Sequence, residues 1–87
     1  MEDYTELFNK VRLALAEFTE AEPEEVEEDI VELVTDLVAQ SLEERADGNW
    51  DYSEALLQKS STYVYCDMGE DEMERYIELL EGYAMSY

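Results

Sequence analysis

The sequence predicts an all-α protein, a single compact domain of about four short helices. Three observations lead there. Apolar residues recur at i, i+3, i+4 and i+7 along most of the chain, the spacing of an amphipathic helix. The breaks between these stretches are short and carry Pro, Gly, Asn or Asp. At 87 residues, 46% hydrophobic and 11% aromatic, the chain has material for one core, whereas two would leave each half too small to fold unaided.

The first helix is expected near residues 3–18, where Tyr4, Leu7, Phe8, Val11, Ala14, Leu15 and Phe18 share one face. The second is expected near 23–46. Pro23 suits a first helical position because its φ is fixed and its missing N–H would have no partner there, and Glu24 and Glu25 would face the positive end of the helix. Val26, Ile30, Leu33, Val34, Leu37, Val38 and Leu42 continue its stripe, with Val31 widening it, until Asp47-Gly48-Asn49 supplies a turn.

Asp51 followed by Glu54 has the form of a capping box and opens a third helix near 52–65 through Ala55, Leu56, Leu57, Ser60 and Val64. The segment Ser60 to Cys66 is rich in β-branched and aromatic residues, but a lone strand would leave its backbone groups unpaired, so it is read as the end of that helix. After Asp67-Met68-Gly69 a fourth helix is expected near 70–82, carrying Met73, Tyr76, Ile77, Leu80 and Ala84, with Gly82 as its C-cap. The last residues are expected to fray.

Charge is the unusual quantity. There are 25 Asp plus Glu against 5 Lys plus Arg and no His, a formal −20. Most of these carboxylates have no cation to pair with, and their mutual repulsion costs stability, so the excess answers a requirement on the surface: a basic partner, a salty cytoplasm, or solubility. Salt adaptation is disfavoured because Glu outnumbers Asp 18 to 7 and large aliphatics are plentiful.

Other classes are excluded by what is missing. Cys66 is the one cysteine, which excludes a disulfide framework within the chain, favours a reducing compartment and reads as a small buried or half-buried hydrophobe. Without His or a second Cys a structural zinc site is not expected, and no cofactor or metal is assigned. No apolar run approaches membrane-spanning length, MEDYTELF is acidic where a secretory signal is basic, and the charge would repel anionic lipid; the expectation is a cytoplasmic protein. Nor is there a His for acid–base work, a nucleophile elbow or a Gly-rich phosphate loop, so no catalytic residues are assigned and the chain is read as a non-enzyme.

The acids cluster. Glu20, Glu22, Glu24, Glu25, Glu27, Glu28, Asp29 and Glu32 crowd the start of the second helix, while Glu70, Asp71, Glu72, Glu74, Glu78 and Glu81 line the fourth. Helical positions three or four apart are roughly 5–6 Å neighbours, so Glu24/Glu28, Glu25/Glu28, Glu28/Glu32, Glu70/Glu74, Glu74/Glu78 and Glu78/Glu81 form rows of like charge, each pair weakening the helix by a few tenths of a kcal/mol. Rows of this kind carry the signal of a nucleic-acid backbone, attractive to a groove of Lys and Arg. A solvated face with no partner is the other reading. Tyr4, Trp50, Tyr52, Tyr63, Tyr65, Tyr83 and Tyr87 are candidate contact anchors, although more of them are expected in the core or at its rim.

On the clusters EPEEVEEDIVE and GEDEMERYIELLE, and on size, the chain resembles the small acidic DNA-mimic and host-takeover proteins of bacteriophages, anti-restriction and anti-CRISPR inhibitors among them. The resemblance implies occlusion of the basic nucleic-acid-binding site of a nuclease, polymerase, topoisomerase, nucleoid protein or CRISPR effector in the host cytoplasm, with no direct contact to nucleic acid. A second segment, Asp36 to Leu42, is similar to the DLGADSL segment of acyl carrier proteins, in which Ser41 would carry the phosphopantetheine arm; Gln40 and Val38 depart from that pattern. Asp47, Asn49, Asp51 and Ser53 alternate like the first ligands of an EF-hand loop, but Tyr52 stands where its Gly belongs and Gln58 where its Glu belongs. The runner-up of a different class is a structural or adaptor module that homodimerises or docks a partner through the apolar face of the second helix.

Overall fold

The computed structural model describes residues 4–85. It is all-α, with α1 (Tyr4–Thr19), a 3-10 turn (Pro23–Glu25), α2 (Glu28–Ala46), α3 (Trp50–Ser61) and α4 (Glu70–Ala84), and no strand among the described residues. The expected fraying of the last residues, together with Tyr87 as an anchor, lies outside them.

Each helix buries the stripe its periodicity marks. Leu7, Val11, Ala14, Leu15 and Phe18 of α1 meet Val31, Val34 and Val38 of α2, Leu57 of α3, and Tyr76, Leu80 and Ala84 of α4 in one cluster that Met85 closes. Phe18 and Tyr76 meet edge to face at 5.4 Å, a geometry the ring quadrupoles favour. Arg12 contacts Glu28 and Tyr4 contacts Asp36, so an eight-residue step back along α1 matches an eight-residue step forward along α2, and the two helices run antiparallel.

The α2–α3 seam is lined by small polar residues. Thr35, Ser41, Ser53, Ser60 and Ser61 are all buried. Ser41 donates to the Ser53 carbonyl at 3.0 Å, the Ser41 and Ser53 hydroxyls share a further hydrogen bond, and Arg45 Nε donates to Ser53 Oγ at 2.7 Å. Ser60 donates to the Leu57 carbonyl at 2.6 Å and shares a 2.7 Å hydrogen bond with the Tyr76 hydroxyl, which joins α3 to α4. Short side chains let the helices approach closely while these bonds satisfy the Ser41, Ser53 and Ser60 hydroxyls; that of Thr35 has no partner among the described residues.

Four boundaries differ from the sequence expectation. Pro23 opens only a 3-10 turn: Val26 and Glu27 are extended, with ψ of 127° and 130°, and α2 starts afresh at Glu28. This break lets half-buried Val26 and Ile30 both pack on the core. Asp51 is not a cap, because α3 begins one residue earlier behind Asn49. That helix ends at Ser61, where 62–64 form a turn rather than further helix. At the other end of the chain α4 runs through Gly82 to Ala84, since Ala84 and Met85 are buried and hold the last turn down.

α1 and α2 end alike. Glu20 N–H donates to the Glu17 carbonyl and Ala21 N–H to the Ala16 carbonyl; after α2, Gly48 N–H donates to Arg45 and Asn49 N–H to Glu44. Both are Schellman endings, which need a left-handed residue after the cap. Gly48 fills that place at φ 86°, and Glu20 fills it at φ 58°.

Candidate acidic interface

Most of the few cations are engaged in internal contacts. Arg12 lies over the Phe8 ring at 5.2 Å and within 3.5 Å of Glu28; Arg75 lies over Phe18 at 5.5 Å and donates to the carbonyls of Phe18 and Glu17 at 3.3 Å. Arg45 lies 4.8 Å from the Trp50 ring and donates to Glu81 at 2.7 Å. Lys10 is 3.7 Å from Glu6. Cation–π and carbonyl contacts of this kind pin the guanidinium groups against the fold, so most carboxylates face solvent unneutralised.

The N-terminal acidic set is fully exposed but is not one row. Glu20 and Glu22 lie in the linker, Glu24 and Glu25 in the 3-10 turn, Glu27 in extended chain, and only Glu28, Asp29 and Glu32 on α2. The expected Glu24/Glu28 and Glu25/Glu28 helical pairs therefore do not form, because the break at Val26 and Glu27 separates them; Glu28/Glu32 remains. Within the turn, Glu25 accepts from the Glu22 N–H at 3.2 Å. The solvent face of α2 instead carries Asp29, Glu32, Asp36 and Glu43. Asp36 and Glu43 were marked by the complement of the buried stripe and were missed by looking for clusters. Asp36 accepts from Tyr4 at 3.3 Å, and partial burial, then the Asp36 charge, hold the Tyr4 phenol above its usual range.

The α4 set is brought together. Glu70, Asp71, Glu74, Glu78 and Glu81 line one open groove of about 580 Å³ between α3 and α4, joined by Glu54 and Gln58 from α3, with half-buried Met73 and Ile77 among them. Glu72 points elsewhere, into a hollow with Phe18, Tyr65, Cys66 and Arg75. Sequence reasoning missed the α3 contribution because Glu54 looked like a cap residue; once α3 starts at Trp50, Glu54 and Gln58 share a face four residues apart.

No protein-family model, curated protein or solved structure matches the chain.

Geometry decides several smaller expectations. Ser41 is buried and hydrogen-bonded within the α2–α3 seam, so it offers no attachment point for a phosphopantetheine arm. Ser53 is buried against Arg45, which breaks the EF-hand alternation, and no group of three or more acidic, His or Cys side chains is placed to hold a metal ion among the described residues. Cys66 is exposed, not a core filler, because α3 stops before reaching it. The aromatic anchors Tyr4, Trp50, Tyr52, Tyr63, Tyr65 and Tyr83 are all exposed and none is core, although Tyr4 and Tyr65 lie at its rim against Phe8 and Phe18. The α2 stripe is taken up by the core, leaving Leu33 as its exposed large aliphatic. No helix among the described residues is long and apolar enough to cross a membrane.

Proposed function

We propose that the protein is a non-catalytic acidic decoy, one that presents carboxylates to the Lys/Arg-lined nucleic-acid-binding site of a host or defence protein and blocks it. One observation supports this above the others. Setting aside Glu2 and Asp3, outside the described residues, the formal −20 becomes −18 along a longest dimension of 34 Å, about one net charge per 1.9 Å. Duplex DNA carries roughly one per 1.7 Å of its axis. A basic groove shaped for DNA therefore meets a body of similar net charge per unit length, the five cations already counted in that value. The loss of the apolar α2 face into the core removes the main motive for the adaptor reading.

Affinity for such a target falls as salt rises, since binding releases the target's and the decoy's counterions. The test is capture of basic proteins on the immobilised chain, elution in a salt gradient and competition with duplex DNA. Displacement of a retained nucleic-acid-binding protein by DNA is the expected outcome; retention indifferent to DNA would sink the reading.

A further inference from the structure

The α3–α4 groove has a feature that charge mimicry alone does not require. Met73 and Ile77, one helical turn apart, remain half-buried between carboxylates on both sides. Beyond the Glu81 end, Arg45 links Glu81 to the exposed Trp50, which lines a neighbouring hollow with Glu44, Asn49 and Tyr52. An apolar strip walled by carboxylates suits a partner element that is apolar along one side and basic along its flanks.

We propose that this groove receives a basic amphipathic helix of the partner protein, its apolar side on Met73 and Ile77 and its Lys or Arg side chains against Glu54, Glu74 and Glu78. The inference rests on the reading that the partner is basic, and it names the element that docks. Charge complementarity selects the cations. The helical form comes from the backbone: the groove walls are helices whose own N–H and C=O groups are engaged, so an extended segment would find no ladder partners, whereas a helix satisfies its own. Spacing agrees as well, since cations at i and i+4 on a helix advance about 6 Å, the step between Glu70, Glu74 and Glu78. From Glu70 to Glu81 the groove runs about 16 Å, three turns of an occupant.

A synthetic helix-forming peptide with Lys at i, i+4 flanking a Leu strip is the probe, and a scrambled peptide of identical charge is its control. Trp50, the chain's one Trp, reports binding by fluorescence. Glu74→Gln/Glu78→Gln is expected to weaken the patterned peptide roughly tenfold, while Asp29→Asn/Glu32→Gln, an equal charge change on α2, alters it less than about twofold. Met73→Gln is expected to erase the preference for the patterned peptide, with helix content checked by circular dichroism throughout. Equal losses from the two charge pairs, or equal binding of the scrambled peptide, would overturn the groove while leaving a charge-driven decoy standing. Capture that ignores DNA, by contrast, strikes the decoy reading and leaves peptide binding in the groove to be judged by the same variants.

Discussion

Arg45 on α2 reaches Glu81 on α4 at 2.7 Å while its Nε donates to Ser53 on α3 at the same distance. One guanidinium thus ties three helices at the end of the acidic groove. Its side chain is 16% exposed and that of Glu81 41%, so the pair is partly withdrawn from water and worth more than a surface contact.

Replacing Arg45 by Met keeps the aliphatic stem but leaves Ser53 and Glu81 without their charged donor. The expected loss is about 2 kcal/mol, read as a lower urea midpoint at unchanged slope. Arg45→Lys should restore little, because an ammonium lacks the fork that serves Ser53 and Glu81 at once. Full recovery by Lys would show that charge alone matters here.

Thr35 is buried and its hydroxyl finds no hydrogen-bond partner among the described residues. Thr35→Val has nearly the same shape without the polar group, and it is expected to stabilise the fold by about 1 kcal/mol. A melting temperature that falls in this variant would mean that the hydroxyl is satisfied in solution.

The number of helices was legible in the sequence because each buries a stripe of period 3.6, and Leu7, Val11, Leu15 and Phe18 needed nothing else to be placed. Boundaries were less legible where tertiary packing overrides a local signal. Pro23 correctly marks a helical turn, but the stop at Val26 comes from docking that side chain on the core, and α4 continues past Gly82 because the buried Ala84 and Met85 anchor its last turn. Half of the candidate site could be read, since Glu70, Glu74 and Glu78 share a helix face by spacing alone. The groove could not, because Glu54 and Gln58 come from another helix and no periodicity reports which helices are neighbours.

Tyr76 gives the fold an alkaline limit. Burial pushes its phenol well above the ordinary 10.0, and the Ser60 hydrogen bond works in the opposite direction without cancelling it. A raised folded-state value means that the stabilisation is whole below about pH 10 and is lost above it, where the unfolded chain alone sheds the proton. Tyr76→Phe should cost about 1 kcal/mol at neutral pH, because Ser60 keeps its bond to Leu57, yet it should flatten the decline above pH 10. An equally steep alkaline decline in the variant would place its origin elsewhere.

Salt should stabilise the folded chain. With a formal −20, repulsion among surface carboxylates opposes folding, and raising ionic strength from 0.1 to 1 M shortens the screening length from about 10 to 3 Å. The melting temperature is therefore expected to rise with sodium chloride. Complete folding in dilute buffer is also expected, as the core is closed; a chain that unfolds there would instead favour adaptation to a high-salt interior.

Glu20 occupies at φ 58° the left-handed position that Gly48 fills after α2. A side chain there costs roughly 1 kcal/mol, so Glu20→Gly should stabilise by a similar amount, helped by the loss of one negative charge from a crowded linker. Gly48→Ala is the converse: a Cβ there meets nothing within 4 Å, so its cost, about 1 kcal/mol, is conformational only. If Glu20→Gly stabilises the fold but also weakens capture of the basic target, Glu20 is kept for its carboxylate at the expense of the turn. If stability rises and capture is unchanged, the acidic surface used in binding lies away from the α1–α2 linker, and the α4 groove becomes the face to pursue.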